Sequence, residues 1–265
     1  MAVNRRRFLK VAGLTALGVA GKPCVDLIAP GEALMASSAK HEAKAGGKRW
    51  AMVINLKACN EHKDCTKCMD ACHQSHYVPD FGPDNKKDEV KWIWQEPFHH
   101  AFPNQDHRFV KDEIKAMPML VLCNHCDNPP CVRVCPTQAT FRREDGIVMM
   151  DYHRCIGCRY CVAACPYGSR SFNWRDPRPH IKKDLDPELP TFPTRSRGVV
   201  EKCNFCTEQL ARGKMPVCVE ACEAKALTFG DLEDAESDVR KLLAENYSIR
   251  RKPELGTNPE VYYIV

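Results

Sequence analysis

The sequence predicts an α+β protein built of two interlocked units, each folded around a pair of cysteine-rich loops, with long surface loops between them. Three observations carry that prediction. Sixteen of the 17 cysteines in the 265-residue chain fall into four groups of four. Each group is entered from a short apolar run with strand character. The second and third groups are adjacent, and the first and fourth bracket them. Composition agrees: 44% hydrophobic and 28% charged residues are globular values, and this length holds one or two domains.

The cysteine count also excludes several classes. Disulfide scaffolds are small because their bridges replace a missing core, and an odd count forbids complete pairing. The net charge of +5 says little about nucleic acid. Residues 1–39 contribute +3 of it, and no basic stripe with interleaved aromatics follows.

At the N-terminus, Asn4-Arg5-Arg6-Arg7-Phe8-Leu9-Lys10 resembles a twin-arginine export signal. The apolar stretch Val11–Gly21 that follows is far shorter than the roughly 20 residues that span a bilayer and suits a signal h-region. Residues 1–40 are therefore read as signal peptide and linker, with Cys24 inside them. That route exports folded proteins. Thiolate sites are loaded where thiols stay reduced, so the expectation is assembly in the cytoplasm and function on the periplasmic or extracytoplasmic face of the membrane.

The four motifs are Cys59-x5-Cys65-x2-Cys68-x3-Cys72; Cys123-x2-Cys126-x4-Cys131-x3-Cys135-Pro136; Cys155-x2-Cys158-x2-Cys161-x3-Cys165-Pro166; and Cys203-x2-Cys206-x11-Cys218-x3-Cys222. The third is the bacterial ferredoxin run C-x2-C-x2-C-x3-C-P. Two-residue spacing lets a tight loop wrap three thiolates around one cluster. The fourth cysteine points away and serves the other cluster of the pair. The chain therefore reads as two bacterial-ferredoxin-like two-cluster units holding four [4Fe–4S] clusters. Zinc explains paired C-x2-C elements but not a fourth cysteine followed by proline, twice. Covalent haem needs C-x2-C-H, which does not occur.

Crossed ligation then gives four sets: Cys123, Cys126, Cys131 and Cys165; Cys155, Cys158, Cys161 and Cys135; Cys59, Cys65, Cys68 and Cys222; Cys203, Cys206, Cys218 and Cys72. Motif one has five residues between its first two cysteines, and His62 stands three before Cys65. Cys59 is the favoured ligand, because Asn55-Leu56-Lys57-Ala58 enters the loop as a strand-to-cysteine step and the insertion keeps Cys59 within reach; His62 is the minority alternative, whose imidazole ligation would raise the cluster's potential.

The elements follow in order. Trp50–Leu56 and Met119–Leu122 are strands leading into motifs one and two. Thr140-Phe141 and Ile147–Met150 flank Asp145-Gly146, a hairpin signal, and motif three follows. Val199-Val200 enters motif four and Ala226–Phe229 leaves it. Residues 50–116 plus 199–232 make the outer unit with its insertion, and 117–175 the inner unit. Residues 73–117, with His73, His76, Trp92, Trp94, His99, His100 and His107, read as a surface loop. It is either packed by its own tryptophans or available to a partner or a haem. Residues 176–198 are a proline-rich loop. Residues 233–265 hold a polar helix, Asp234–Glu245, and an apolar docking tail, Val261–Val265. Lys57, Arg133, Arg143, Arg154, Arg159, Lys202 and Lys225 lie near the motifs. They read first as ordinary surface charge and second as cations that raise local potentials. No base, nucleophile or open metal position is evident, so no substrate chemistry is expected.

The motif order resembles that of the four-cluster ferredoxin subunits of membrane oxidoreductases, including polysulfide, tetrathionate and dimethyl sulfoxide reductases. Cys123-Asn-His-Cys126-Asp-Asn-Pro-Pro-Cys131 and Tyr152-His-Arg-Cys155-Ile-Gly-Cys158-Arg-Tyr-Cys161-Val-Ala-Ala-Cys165-Pro-Tyr-Gly carry the resemblance, which spans nearly all of residues 50–230. Arg170-Ser-Phe-Asn-Trp174-Arg-Asp-Pro-Arg-Pro, the wide first motif and the leader together resemble a narrower family, DsrO. That resemblance implies an exported, non-catalytic electron-transfer subunit in sulfur metabolism. It also implies as partners an NrfD-like integral membrane subunit (DsrP), a multihaem cytochrome c (DsrJ), and DsrM and DsrK. The broader resemblance implies instead the electron-transfer subunit of a molybdopterin-dependent reductase.

Overall fold

A computed structural model describes residues 47–62, 64–181 and 192–265. The expected leader, residues 1–40, lies outside the described residues, as do 182–191 of the proline-rich loop. Among the described residues no helix is long and apolar enough to cross a membrane.

The strands are β1 (Trp50–Asn55), β2 (Ile93–Pro97), β3 (Pro118–Leu122), β4 (Thr140–Arg142), β5 (Val148–Met150), β6 (Ser171–Phe172), β7 (Val200–Glu201), β8 (Leu227–Asp231), β9 (Ser248–Ile249) and β10 (Val261–Ile264). One sheet has the order β8-β1-β10-β9, and β2–β3, β4–β5 and β6–β7 are separate pairs. β1 runs antiparallel to β8, with Met52 opposite Phe229, and parallel to β10, with Met52 opposite Val261.

The two-residue side-chain period of a strand explains why β1 is apolar throughout. Met52 and Ile54 face the main core, whereas Ala51 and Val53 pack with Val239 and Ile264 beneath the helix Asp238–Glu245. That helix begins four residues later than the expected Asp234 because Ser237 is its N-cap, its side chain accepting the Arg240 N–H at 3.3 Å. Gly230 lets it approach: a Cβ there would lie 3.0 Å from Val239 Cγ2. The apolar tail docks on the protein's own core as β10, and Tyr263 stacks edge-on against Phe102 at 5.0 Å.

The stretch expected as a surface loop, 73–117, is exposed over much of its length but sends a strand and a buried aromatic cluster into the interior. β2 pairs with β3, Ile93 opposite Leu122, and Trp92, Ile93, Trp94, Phe102 and His76 are buried. Three histidines, His99, His100 and His107, stay exposed. The apolar residues here are interspersed with charges, so no period marks the strand, and its partner lies more than 20 positions away. The proline-rich loop is likewise not all at the surface: Phe192 and Arg195 are buried in a stretch without regular secondary structure.

A buried ion pair locks these segments together. Arg195 and Glu201 are both fully buried and 2.5 Å apart. Arg195 also donates to the carbonyls of His76 (2.6 Å) and Tyr77 (2.9 Å), while Trp92 Nε1 donates to Glu201 at 2.9 Å. One carboxylate thus satisfies an indole, a guanidinium and the Asn173 amide, drawn from three stretches of the chain. Breaking a buried pair from one side leaves an uncompensated charge, at a cost of about 3–5 kcal/mol. Glu201→Ala is expected to lower the unfolding free energy by about that amount, read from denaturant melts. A loss within about 0.5 kcal/mol, typical of a surface substitution, would contradict the role.

Candidate metal centre

Each motif is presented by a turn and a short helix. In motif one the Asn55 side chain accepts the Ala58 N–H at 3.0 Å, starting the helix Leu56–Glu61 that carries Cys59. Cys68 and Cys72 lie four apart on the helix Lys67–Ser75 and so share a face. That helix packs against Val217–Glu220, which carries Cys218 and is followed by Cys222. In the middle of the chain Pro130–Arg133, with Cys131, packs against Tyr160–Ala164, with Cys161. Motif one therefore meets motif four, and motif two meets motif three.

The turns need unusual backbone. His125, Arg159, Phe205 and Cys206 all have positive φ. Gly157, between Cys155 and Cys158, has φ +70°, and a Cβ there would fall 2.3 Å from the Gly198 carbonyl oxygen. Only glycine fits without rearrangement.

All sixteen described cysteines are free thiols, and nine are buried. Their acidities show which ones crowd together. Burial pushes Cys68 up to about 12, reinforced by Cys59, Cys222 and Cys65. Cys59 is raised by burial and then by Cys222 and Cys65. Cys72 is driven far up by burial and by Cys206, Cys203 and Cys218. Cys126 is raised by burial and by Cys123, Cys131 and Cys165, and these same four cysteines line one small cavity. Cys161 is raised by burial, against Arg170, with Cys131 and Cys155 adding to the rise. Burial opposes but does not prevent a fall at Cys135, which takes the Thr140 N–H at 3.4 Å and is bonded by Thr137. Cys158 lies one residue before Arg159, the N-cap of the helix bearing Cys161.

Neighbour relations also run between sets. Their effects on acidity place Cys68 beside Cys72 and Cys218, Cys123 beside Cys203, and Cys131 beside Cys161.

His62 is exposed at the end of the Leu56–Glu61 helix, its backbone N–H donating to the Cys59 carbonyl at 3.3 Å. The Cys59 thiol is the one set among the neighbouring sulfurs. Of the cations noted in sequence, Lys202 is buried, its ammonium donating to the carbonyls of Val148 and Cys203. Arg133, Arg143, Arg154 and Arg159 are exposed or half-buried.

Sequence reading placed His76 in a surface loop and did not single out Glu208; the His76 ring is buried. The ring bonds the Cys72 carbonyl through Nδ1 and the Glu208 carboxylate through Nε2, both at 2.8 Å. Glu208 also accepts from Asn204, whose amide oxygen takes the Cys206 N–H. Together with Cys206 these are donors within 4.8 Å of one another. Their bonds clamp motif one's helix to motif four's loop. Only the i, i+4 step from Cys72 to His76 is visible in sequence; the partner is 132 positions away.

Comparison with known proteins agrees with this geometry. Residues 115–180 and 189–232 match the 4Fe-4S dicluster domain. The chain is 36% identical to the Hdr-like menaquinol oxidoreductase iron-sulfur subunit 1 of Archaeoglobus fulgidus, over 98% of this chain and 97% of that protein. It is 36% identical to the iron-sulfur cluster-binding subunit of menaquinone reductase from Nitratidesulfovibrio vulgaris (82% and 88%). It is 34% identical to a tetrathionate reductase subunit of Salmonella typhimurium (100% and 89%).

Gly157→Ala tests the turn of motif three. Strain at a left-handed position with a backbone clash costs about 1–3 kcal/mol. The substitution is expected to lower thermal stability and to reduce bound metal. An unchanged melting temperature and metal content would show that the turn tolerates a side chain.

Proposed function

This chain belongs to the family of 4Fe-4S dicluster iron–sulfur subunits, and from that premise we propose that it is a non-catalytic electron wire carrying four [4Fe–4S] clusters in a row. The observation that carries the proposal is the grouping of buried, unbridged thiols drawn from paired motifs. Such thiols repel one another once ionised, and burial penalises each charge. A multivalent cationic core removes both penalties, and an all-thiolate donor set selects soft metal centres and iron–sulfur clusters.

The residues that would hold the clusters are the four crossed sets: Cys59, Cys65, Cys68 and Cys222; Cys72, Cys203, Cys206 and Cys218; Cys123, Cys126, Cys131 and Cys165; Cys135, Cys155, Cys158 and Cys161. When bound, such clusters supply reversible one-electron transfer at potentials set by burial, charge and hydrogen bonds to sulfur. The chain's part is to hold the sulfurs, to exclude water from the buried sets and to fix the order of the line.

The finer reading is a DsrO-type subunit, exported by the twin-arginine route to the periplasmic face. It would relay electrons in sulfur metabolism between an NrfD-like membrane subunit (DsrP) and a multihaem cytochrome c (DsrJ), alongside DsrM and DsrK. Two relatives named for menaquinol or menaquinone oxidoreductases support a quinone-linked partner. The tetrathionate reductase relative favours a second reading, the electron-transfer subunit of a molybdopterin enzyme. Isolation of the native complex separates the two: a haem protein with an NrfD-like subunit supports the first, a molybdopterin subunit the second.

Iron and acid-labile sulfide should each reach about 16 per chain, four cubanes' worth. The protein should be brown and bleach with dithionite; colourless protein holding zinc would overturn the reading. Cys59→Ser is expected to remove or convert one cluster, a loss of one to four iron atoms by about this count. His62→Ala should leave iron content unchanged, and the reverse pattern would make His62 the ligand.

A further inference from the structure

Arg170 is a buried cation whose charge no carboxylate matches. It is 4% exposed, and none of the ion pairs among the described residues includes it. One guanidinium nitrogen donates to Cys131 Sγ at 3.0 Å, and the other to Thr140 Oγ1 at 3.1 Å. Removing a guanidinium from water is expensive unless counter-charge compensates it. The groups in position to do so are the sulfurs of Cys131, bonded at 3.0 Å, and of its neighbours Cys161 and Cys123, which are anionic once they ligate a cluster. Those sulfurs come from two motifs. Cys123 and Cys131 belong to one crossed set, and Cys161 to the next set along the line.

The other deeply buried cation near the motifs differs. Lys202 directs its bonds to the backbone carbonyls of Val148 and Cys203. Among the described residues Arg170 is the cation that donates directly to a cysteine sulfur. A hydrogen bond to sulfur and a nearby desolvated positive charge both favour the more negative, reduced state of a thiolate-ligated centre.

We propose that Arg170 is a positioning residue that raises the reduction potentials of the two adjacent clusters, those of the Cys123 and Cys155 groups. This rests on the four-cluster reading above. Clusters held by these cysteines would exchange one electron at a time with a neighbour, and Arg170 would supply fixed positive charge and a hydrogen bond to sulfur without moving a proton.

The test is an EPR-monitored redox titration of the full chain, after iron analysis has shown four clusters. Wild-type protein lacking clusters would sink the four-cluster reading; loaded protein tests this inference separately. In R170Q, the equilibrium constant for reduction of two of the four clusters should fall about tenfold, a displacement of about 59 mV for one electron, while the other two stay in place. R170K restores the charge and should recover most of the displacement. A loaded R170Q with all four potentials unmoved would overturn the proposal. So would an R170K displaced as far as R170Q, because packing rather than charge would then be responsible. If R170Q fails to load, wild-type protein labelled with 15N-arginine decides: pulsed EPR should show a 15N coupling to a reduced cluster, and its absence would refute the contact.

Discussion

Everything in this molecule follows from one electrostatic constraint: thiols that repel one another as thiolates are brought together and mostly removed from water. Burial raises the pKa of thiols such as Cys68, Cys72 and Cys126 and neighbouring sulfurs raise it further, so gathering them as thiolates is unfavourable without a cationic core. The protein does not relieve that repulsion with disulfides among the described residues. Instead it holds the sulfurs apart from one another on short helices and strained turns, in positions that a shared metal centre stabilises. Folding and cofactor binding are thereby coupled, as in other proteins whose sites exist only in the folded chain.

The strands and helices are arranged to satisfy that constraint twice. Helix Lys67–Ser75 packs on Val217–Glu220, and Pro130–Arg133 packs on Tyr160–Ala164. Each contact brings the last cysteine of one motif toward the first three of another. The central strand β1 joins both ends of the described chain, with β8 on one side and β10 on the other. The segment 73–117 supplies Trp92 and β2 to the interior, and the Arg195–Glu201 pair fastens it there. Rigidity is needed because electron transfer works best when little moves on changing charge. A packed interior at native density and a clamp such as His76–Glu208 provide it.

Charges inside this core are placed rather than scattered. Arg195 is matched by Glu201, Lys202 by carbonyls, and Arg170 by the Cys131 sulfur and the Thr140 hydroxyl. A buried cation opposite a carboxylate is structural; one opposite a redox-active anion also sets its energy. The exposed arginines near motif three are screened by solvent and have far less leverage.

The cysteine spacings alone determined the ligand candidates, the pairing of adjacent motifs and most strands that lead into them, because these depend on covalent distance along a few residues. The Asp145-Gly146 hairpin and the tail's need to dock were legible for the same reason. Only the tertiary structure decided that Trp92, β2 and Phe102 of the 73–117 segment are interior, that the tail lies against β1, and that His76 meets Glu208 across 132 positions. It alone singled out Arg170 from a chain rich in arginine. These features arise when segments far apart in sequence exclude water from one another, and neither burial nor the counter-charge it demands is written in local spacing.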